Sequence, residues 1–174
     1  MKKTGLICLL LFFSVFFEAC ELAAREPHIL QLETPEKIVE VYYANEEYFN
    51  SAADTVLKFD GKVREIGICL ADDAKKLDDY AGKEINGLYI EGSSTLLDSD
   101  YQILYEAFAP LTERCHCRAW IYNSQVEFVL EGPTYGMAAK LFYFLDSDFA
   151  AEYMSKTDES IQINPHWYAI IWHD

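Results

Sequence analysis

Residues 115–130 read CHCRAWIYNSQVEFVL. Cys115, Cys117, Ala119 and Ile121 alternate with His116, Arg118, Trp120 and Tyr122, a period of two that sends successive side chains to opposite faces of a strand. Asn123-Ser124 supplies a two-residue turn, and Val126, Phe128 and Leu130 then alternate with Glu127, Val129 and Glu131. Strand, turn and strand make an antiparallel hairpin. Gly132-Pro133 breaks the second strand, Met137 to Leu145 reads as another, and Trp167 to Trp172 as a closing one. The last third of the chain is therefore expected to be an antiparallel sheet.

Upstream the period changes. Thr34-Pro35-Glu36 has the order of a helix start, with a capping residue, Pro at the first helical position and an acid in the first turn. Ile38, Val41, Tyr42, Tyr48, Phe49, Ala52, Ala53, Val56 and Leu57 keep helical spacing, interrupted only at Asn45, until Asp60-Gly61. This predicts one long amphipathic helix with Glu40, Glu46 and Glu47 on its outer face. Val63 to Leu70 alternates as a strand, Asp72 to Asp79 reads as a charged loop or short helix, and Ile85 to Ile90 as a second strand. The pattern Leu-Asp-Ser-Asp occurs at 97–100 and again at 145–148. Neither copy continues with the third oxygen ligand and glycine of a calcium loop. As helix starts they fit better, with Ser99 and Gln102 as a capping box and an apolar stripe running from Ile103 to Pro110. The fold class expected from this order is α+β, with helices packed on one face of a mostly antiparallel sheet.

The chain has 174 residues, with 14 Lys and Arg against 29 Asp and Glu, a formal charge of −15. Nucleic acid is excluded as a partner class, because its affinity comes mostly from basic residues neutralising phosphates. At 51% hydrophobic the chain is too apolar for disorder, and its length suits one globular domain, placed at 34–174.

At the N-terminus, Lys2-Lys3 precede an uncharged, mostly apolar run from Gly5 to Phe17. The run falls short of the ~20 residues of a spanning helix and within the ~7–15 of a signal peptide. Phe17-Glu18-Ala19-Cys20 follows, and Ala19-Cys20 resembles the lipobox of bacterial lipoproteins, with Glu18 departing from the pattern. The resemblance implies a signal peptide over 1–19, a lipidated Cys20 as the mature N-terminus, and an exported protein held at the cell membrane by its lipid. Ordinary cleavage near Leu22-Ala23-Ala24 and an uncleaved anchor are the alternatives. Residues 20–33 then form a tether whose reach, if flexible, is about 20 Å. The signal contains two Lys and one Glu, so the acidity belongs to the domain.

Motifs for chemistry are few. Cys115-His116-Cys117 has ligand chemistry for zinc or copper, but strand geometry points His116 away from both cysteines, and a buried Cys packs as a small hydrophobe. Pairing of Cys69 with Cys115 or Cys117 stays open. His166 and His173 near Asp174 have no nucleophile motif beside them, and no hydrolase elbow, phosphate loop or zinc helix occurs. No cofactor is expected. Trp120 and Tyr122 on one strand, and Tyr168 and Trp172 on another, form a candidate binding surface if both strands present them to the same side; the alternative is that a helix covers them as core. The absence of motifs favours a non-catalytic binding or interaction module over a small envelope hydrolase. The negative charge suits a basic protein or cationic ligand, besides the membrane reached through the lipid.

Overall fold

The computed structural model describes Leu32 and residues 34–68, 80–130, 137–157 and 159–173. The signal segment, Cys20, Cys69, the charged stretch Asp72 to Asp79 and Gly132-Pro133 lie outside the described residues. Elements follow in the order α1 (Pro35–Ala44), α2 (Glu46–Val56), a short 3-10 turn (Leu57–Phe59), β1 (Val63–Ile68), β2 (Tyr80–Ile85), β3 (Leu88–Ser93), α3 (Asp98–Cys115), β4 (Arg118–Tyr122), β5 (Gln125–Leu130), β6 (Met137–Phe144), α4 (Ser147–Met154), β7 (Ser160–Gln162) and β8 (Trp167–His173). The strands join in one sheet ordered β2-β3-β1-β4-β5-β6-β8-β7, with every pair antiparallel. The class is α+β, as the order of periods predicts.

The hairpin of residues 118–130 forms in the expected register, Trp120 facing Glu127 and Tyr122 facing Gln125. Its turn residues Asn123 and Ser124 both adopt positive φ, 51° and 60°, the conformation a two-residue turn needs to match strand twist. A left-handed serine is strained, and Asp60 Oδ2 holds it by accepting from both its N–H and its hydroxyl at 3.1 Å.

Several elements depart from the sequence reading. The long first helix is two, because Asn45 leaves helical geometry at φ −135°, ψ 21° and its side-chain amide donates to the Val41 carbonyl, the local competition that makes Asn a helix breaker. The strand read over Ile85 to Ile90 is a hairpin, since Asn86 and Gly87 turn at φ 49° and 84°. At the start of α3 the capping contact comes from Asp100, whose carboxylate accepts the Leu97 N–H at 2.9 Å. Gln102 instead donates to Glu106. Pro110 does not end this helix: Leu111 and Cys115 bury beyond it, and that burial offsets the one backbone bond proline removes. Cys115 is thus helical, and His116, at φ 48°, is the left-handed residue that ends α3. The alternation over 115–117 is no part of the strand. Leu32, assigned to the tether, is buried with the main core.

Helices α1, α2 and α3 cover one face of the sheet. Between them and the strands lies an aromatic core in which Tyr42, Phe49, Phe108, Phe128 and Trp167 are buried with ring centroids 5.0–6.1 Å apart. Trp167 satisfies its indole by donating to Asn50 Oδ1 at 2.8 Å. The short α4 lies on the opposite face, where Ala150 and Met154 pack on Phe142, Phe144, Tyr168 and Ile170. Its start is capped as the second Leu-Asp-Ser-Asp copy suggests, with Asp146 Oδ1 accepting from the N–H groups of Asp148 and Phe149.

Candidate functional site

Register places the four aromatic residues on one side of the sheet. Trp120 faces Glu127 on β5, Glu127 faces Phe142 on β6, and Phe142 faces Tyr168 on β8, so all point away from α1–α3. Tyr122 follows two residues from Trp120 and Trp172 four from Tyr168, on the same side. The helix α4 divides the set. Tyr168 is buried beneath it at 4% exposure, edge-on to Phe144. Trp120 at 38% and Trp172 at 46% remain open. Tyr168 is therefore a core residue, and only part of the expected patch meets solvent.

Polar side chains among these rings are tied together. Glu127, 4% exposed, receives the Tyr122 hydroxyl on Oε2 at 2.7 Å and has Lys140 Nζ 2.7 Å from Oε1. The same ammonium stands 4.8 Å from the centroid of the Trp172 ring, within cation–π range. Burial pushes the Tyr122 phenol well above its ordinary range, and the Glu127 carboxylate beside it adds to the effect. Further along the row, Glu65 lies beside Trp120 and Glu91 beside Glu65. Arg64 meets Glu91 at 3.3 Å, and Arg118 lies 3.9 Å from Glu65. The face carries Glu65, Glu84, Glu91 and Glu127 against Arg64, Arg118 and Lys140, and is nearly balanced. By contrast residues 35–59 and 98–115, the helical layer, hold nine carboxylates and three bases. The helical layer is thus net −6, and the sheet face net −1.

Sequence reasoning missed Glu127, Lys140 and the outer side of α4. Alternation alone could have found the first, because Glu127 alternates with Phe128 and so shares a side with Trp120 once the hairpin register is known. Two clefts flank the β4–β5 turn, one of about 570 Å³ lined by Asp60, Arg64, Tyr122 and Asn123, the other of about 480 Å³ lined by Ser124, Leu145, Asp146 and Phe149. Their titratable groups are engaged: Asp60 by Ser124, Arg64 by Glu91, Tyr122 by Glu127 and Asp146 by the start of α4.

Cys115 and Cys117 are both buried, and burial raises the Cys115 thiol to about 11. Among the described residues no three His, Cys, Asp or Glu side chains come together as a metal site. His166 Nδ1 lies 2.8 Å from the Phe144 carbonyl, a link between strand ends. Among the described residues no helix is long and apolar enough to cross a membrane. Comparison with protein-family models, curated proteins and solved structures finds no match to this chain.

Proposed function

We propose that this chain is a membrane-anchored envelope lipoprotein whose domain is a non-catalytic binding module. The anchor rests on the short apolar run ending at Ala19-Cys20. The binding role rests on one observation, that Trp120 and Trp172 stay half-exposed on a sheet face whose neighbouring polar groups are already locked in ion pairs. Rigid, half-buried aromatic side chains lose little entropy on contact and contribute large area, which is why they dominate recognition surfaces. The net charge of −15 favours a basic protein or cationic ligand as the partner.

Capture from detergent-solubilised membranes with the purified full-length chain tests this reading. A stoichiometric basic partner that dissociates as salt is raised, and is weakened by Trp120→Ala with Trp172→Ala, is the expected result. Turnover of an envelope substrate by the purified chain, with no partner retained, overturns it in favour of a small hydrolase.

A further inference from the structure

The chain twice builds a trio of aromatic ring, base and carboxylate from its own side chains. Lys83 Nζ stands 4.9 Å from the centroid of Tyr101 and is paired with Asp98, and Lys140 Nζ stands 4.8 Å from that of Trp172 and is paired with Glu127. Attraction to the ring face adds to the charge pair, so ring and carboxylate together hold a cation better than either alone. Arg114, 4.7 Å from the centroid of Tyr48, takes the same seat with a guanidinium.

A third set of rings and carboxylates lies at the start of α4. Phe149, 45% exposed, and Tyr153, 39% exposed, have centroids 5.8 Å apart, and both rest on the buried ring of Phe144, at 6.1 and 5.7 Å. This backing holds the exposed rings in place, so little entropy is lost when a group is laid on them. Asp146 is fixed beside them, because its Oδ1 accepts the Phe149 N–H at 3.0 Å. Both cap bonds fall on that oxygen, and a carboxylate has a second one with acceptor sites of its own. Phe144, Leu145, Asp146 and Phe149 line the cleft of about 480 Å³ together with the turn residues Asn123 and Ser124. Its shape is set by the Leu145 N–H, which donates to the Ser124 carbonyl at 3.2 Å, and by Asp60, which clamps the turn. Among the described residues no base lies over Phe149 or Tyr153. The one base within 145–156, Lys156, is paired with Glu152 at 3.2 Å.

We infer that this third set is completed from outside, by an arginine side chain of a basic partner protein laid into the cleft against Phe149 and Tyr153 and paired with Asp146. The inference rests on the reading of the domain as a binding module for a basic protein, and says where the partner's charge is received. Charge favours a cation here: residues 145–156 hold three carboxylates and one base, net −2, and Asp60 stands at the turn. Arginine suits the set better than lysine, because a planar guanidinium stacks on a ring while its edge donates two N–H groups to one carboxylate. Size argues for a short segment. A helix of eight residues is about 12 Å long, too small to form a stable interface of about 800 Å² per partner, whereas three or four extended residues at ~3.3 Å each match it.

Nuclear magnetic resonance of the isotope-labelled full-length chain in detergent micelles tests this, with a blocked Gly-Ser peptide carrying one central arginine as the probe. Saturable shifts centred on 144–153 and 123–124 are expected, with Kd about 1 mM. Lysine in place of arginine should weaken binding at least about threefold, and citrulline, planar but uncharged, should abolish it. Phe149→Ala and Asp146→Asn should each weaken it at least about fivefold at nearly unchanged melting temperature, since asparagine also caps a helix. Shifts spread over the helical layer, or indifferent to both variants, overturn the inference in favour of unspecific attraction to an acidic chain. Lysine binding as well as arginine overturns the guanidinium, and free argininamide binding as tightly as the peptide overturns the protein partner in favour of a small cationic ligand. Capture of a basic partner that survives Phe149→Ala and Asp146→Asn overturns the inference and leaves the binding-module reading intact. Peptide binding at the cleft with no partner captured from membranes does the reverse.

Discussion

Lys140 Nζ lies 2.7 Å from Glu127 Oε1 and 4.8 Å from the centroid of the Trp172 ring, so one ammonium joins β5, β6 and β8 on the face opposite the helices. The Lys140 and Glu127 side chains are 14% and 6% exposed, and removing one charge leaves the other without its counter-ion in a poorly solvated place. Lys140→Met is expected to cost about 3 kcal/mol or more in urea unfolding. The triple variant Lys140→Met, Glu127→Leu and Tyr122→Phe, which also removes the hydroxyl that donates to Glu127, should recover most of that loss, because apolar groups of similar volume need no counter-charge or acceptor. A triple variant as unstable as the single one would show that packing, and not the orphaned charge, sets the cost.

Alanine should separate Tyr168 from Trp120 and Trp172. Tyr168, buried beneath α4, should lose about 3–5 kcal/mol of folding stability as Tyr168→Ala. Trp120→Ala and Trp172→Ala, at half-exposed sites, should each cost about 1 kcal/mol or less. Melting temperatures of the three variants decide it, and equal losses would place all three side chains in the core.

Alkaline pH should loosen the fold in two stages. Burial raises the Cys115 thiol to about 11 and the Tyr42 phenol to about 12, from ordinary values of 9.0 and 10.0. Each folded-state value exceeds the unfolded one, so the unfolded chain releases these protons first. Their contribution is complete below about pH 9, falls through 9–11 for Cys115, and falls through 10–12 for Tyr42. Cys115→Ala should flatten the first decline in a series of urea midpoints. Midpoints that rise over pH 9–11 would contradict the assignment.

Lipidation is tested by metabolic labelling with a palmitate analogue. Label is expected in the wild type and lost in Cys20→Ser, with the variant leaving the membrane fraction, because stable anchoring needs two or more acyl chains. Equal label in both would remove Cys20 from the anchor.

The Asp146 cap gives a local test. Its carboxylate satisfies two N–H groups at the start of an eight-residue helix, so Asp146→Ala should cost about 1 kcal/mol. Amide exchange should rise over 147–154 while β5 stays protected.

Local periodicity was enough for the hairpin of 118–130, the strands β6 and β8, the start of α1 and the class of the domain, because each depends on neighbours two to four residues away. Boundaries set by distant burial were not legible in this way. Pro110 reads as a stop, yet α3 runs on because Leu111 and Cys115 find the core. The same extension moved Cys115 and His116 from strand to helix end and dissolved the apparent cysteine face. Asn86-Gly87 is a turn signal carried by the sequence itself, and it divides the strand expected over Ile85 to Ile90 into the two arms of a hairpin. The site divides along the same line. Alternation assigned Trp120 and Tyr122 to one side of their strand, but that Tyr168 is covered and that Trp172 shares Lys140 with Glu127 follow from strand order β4-β5-β6-β8 and the seat of α4. Lys140 lies 13 positions from Glu127 and 32 from Trp172, and a pattern of period two or 3.6 carries no information over such distances.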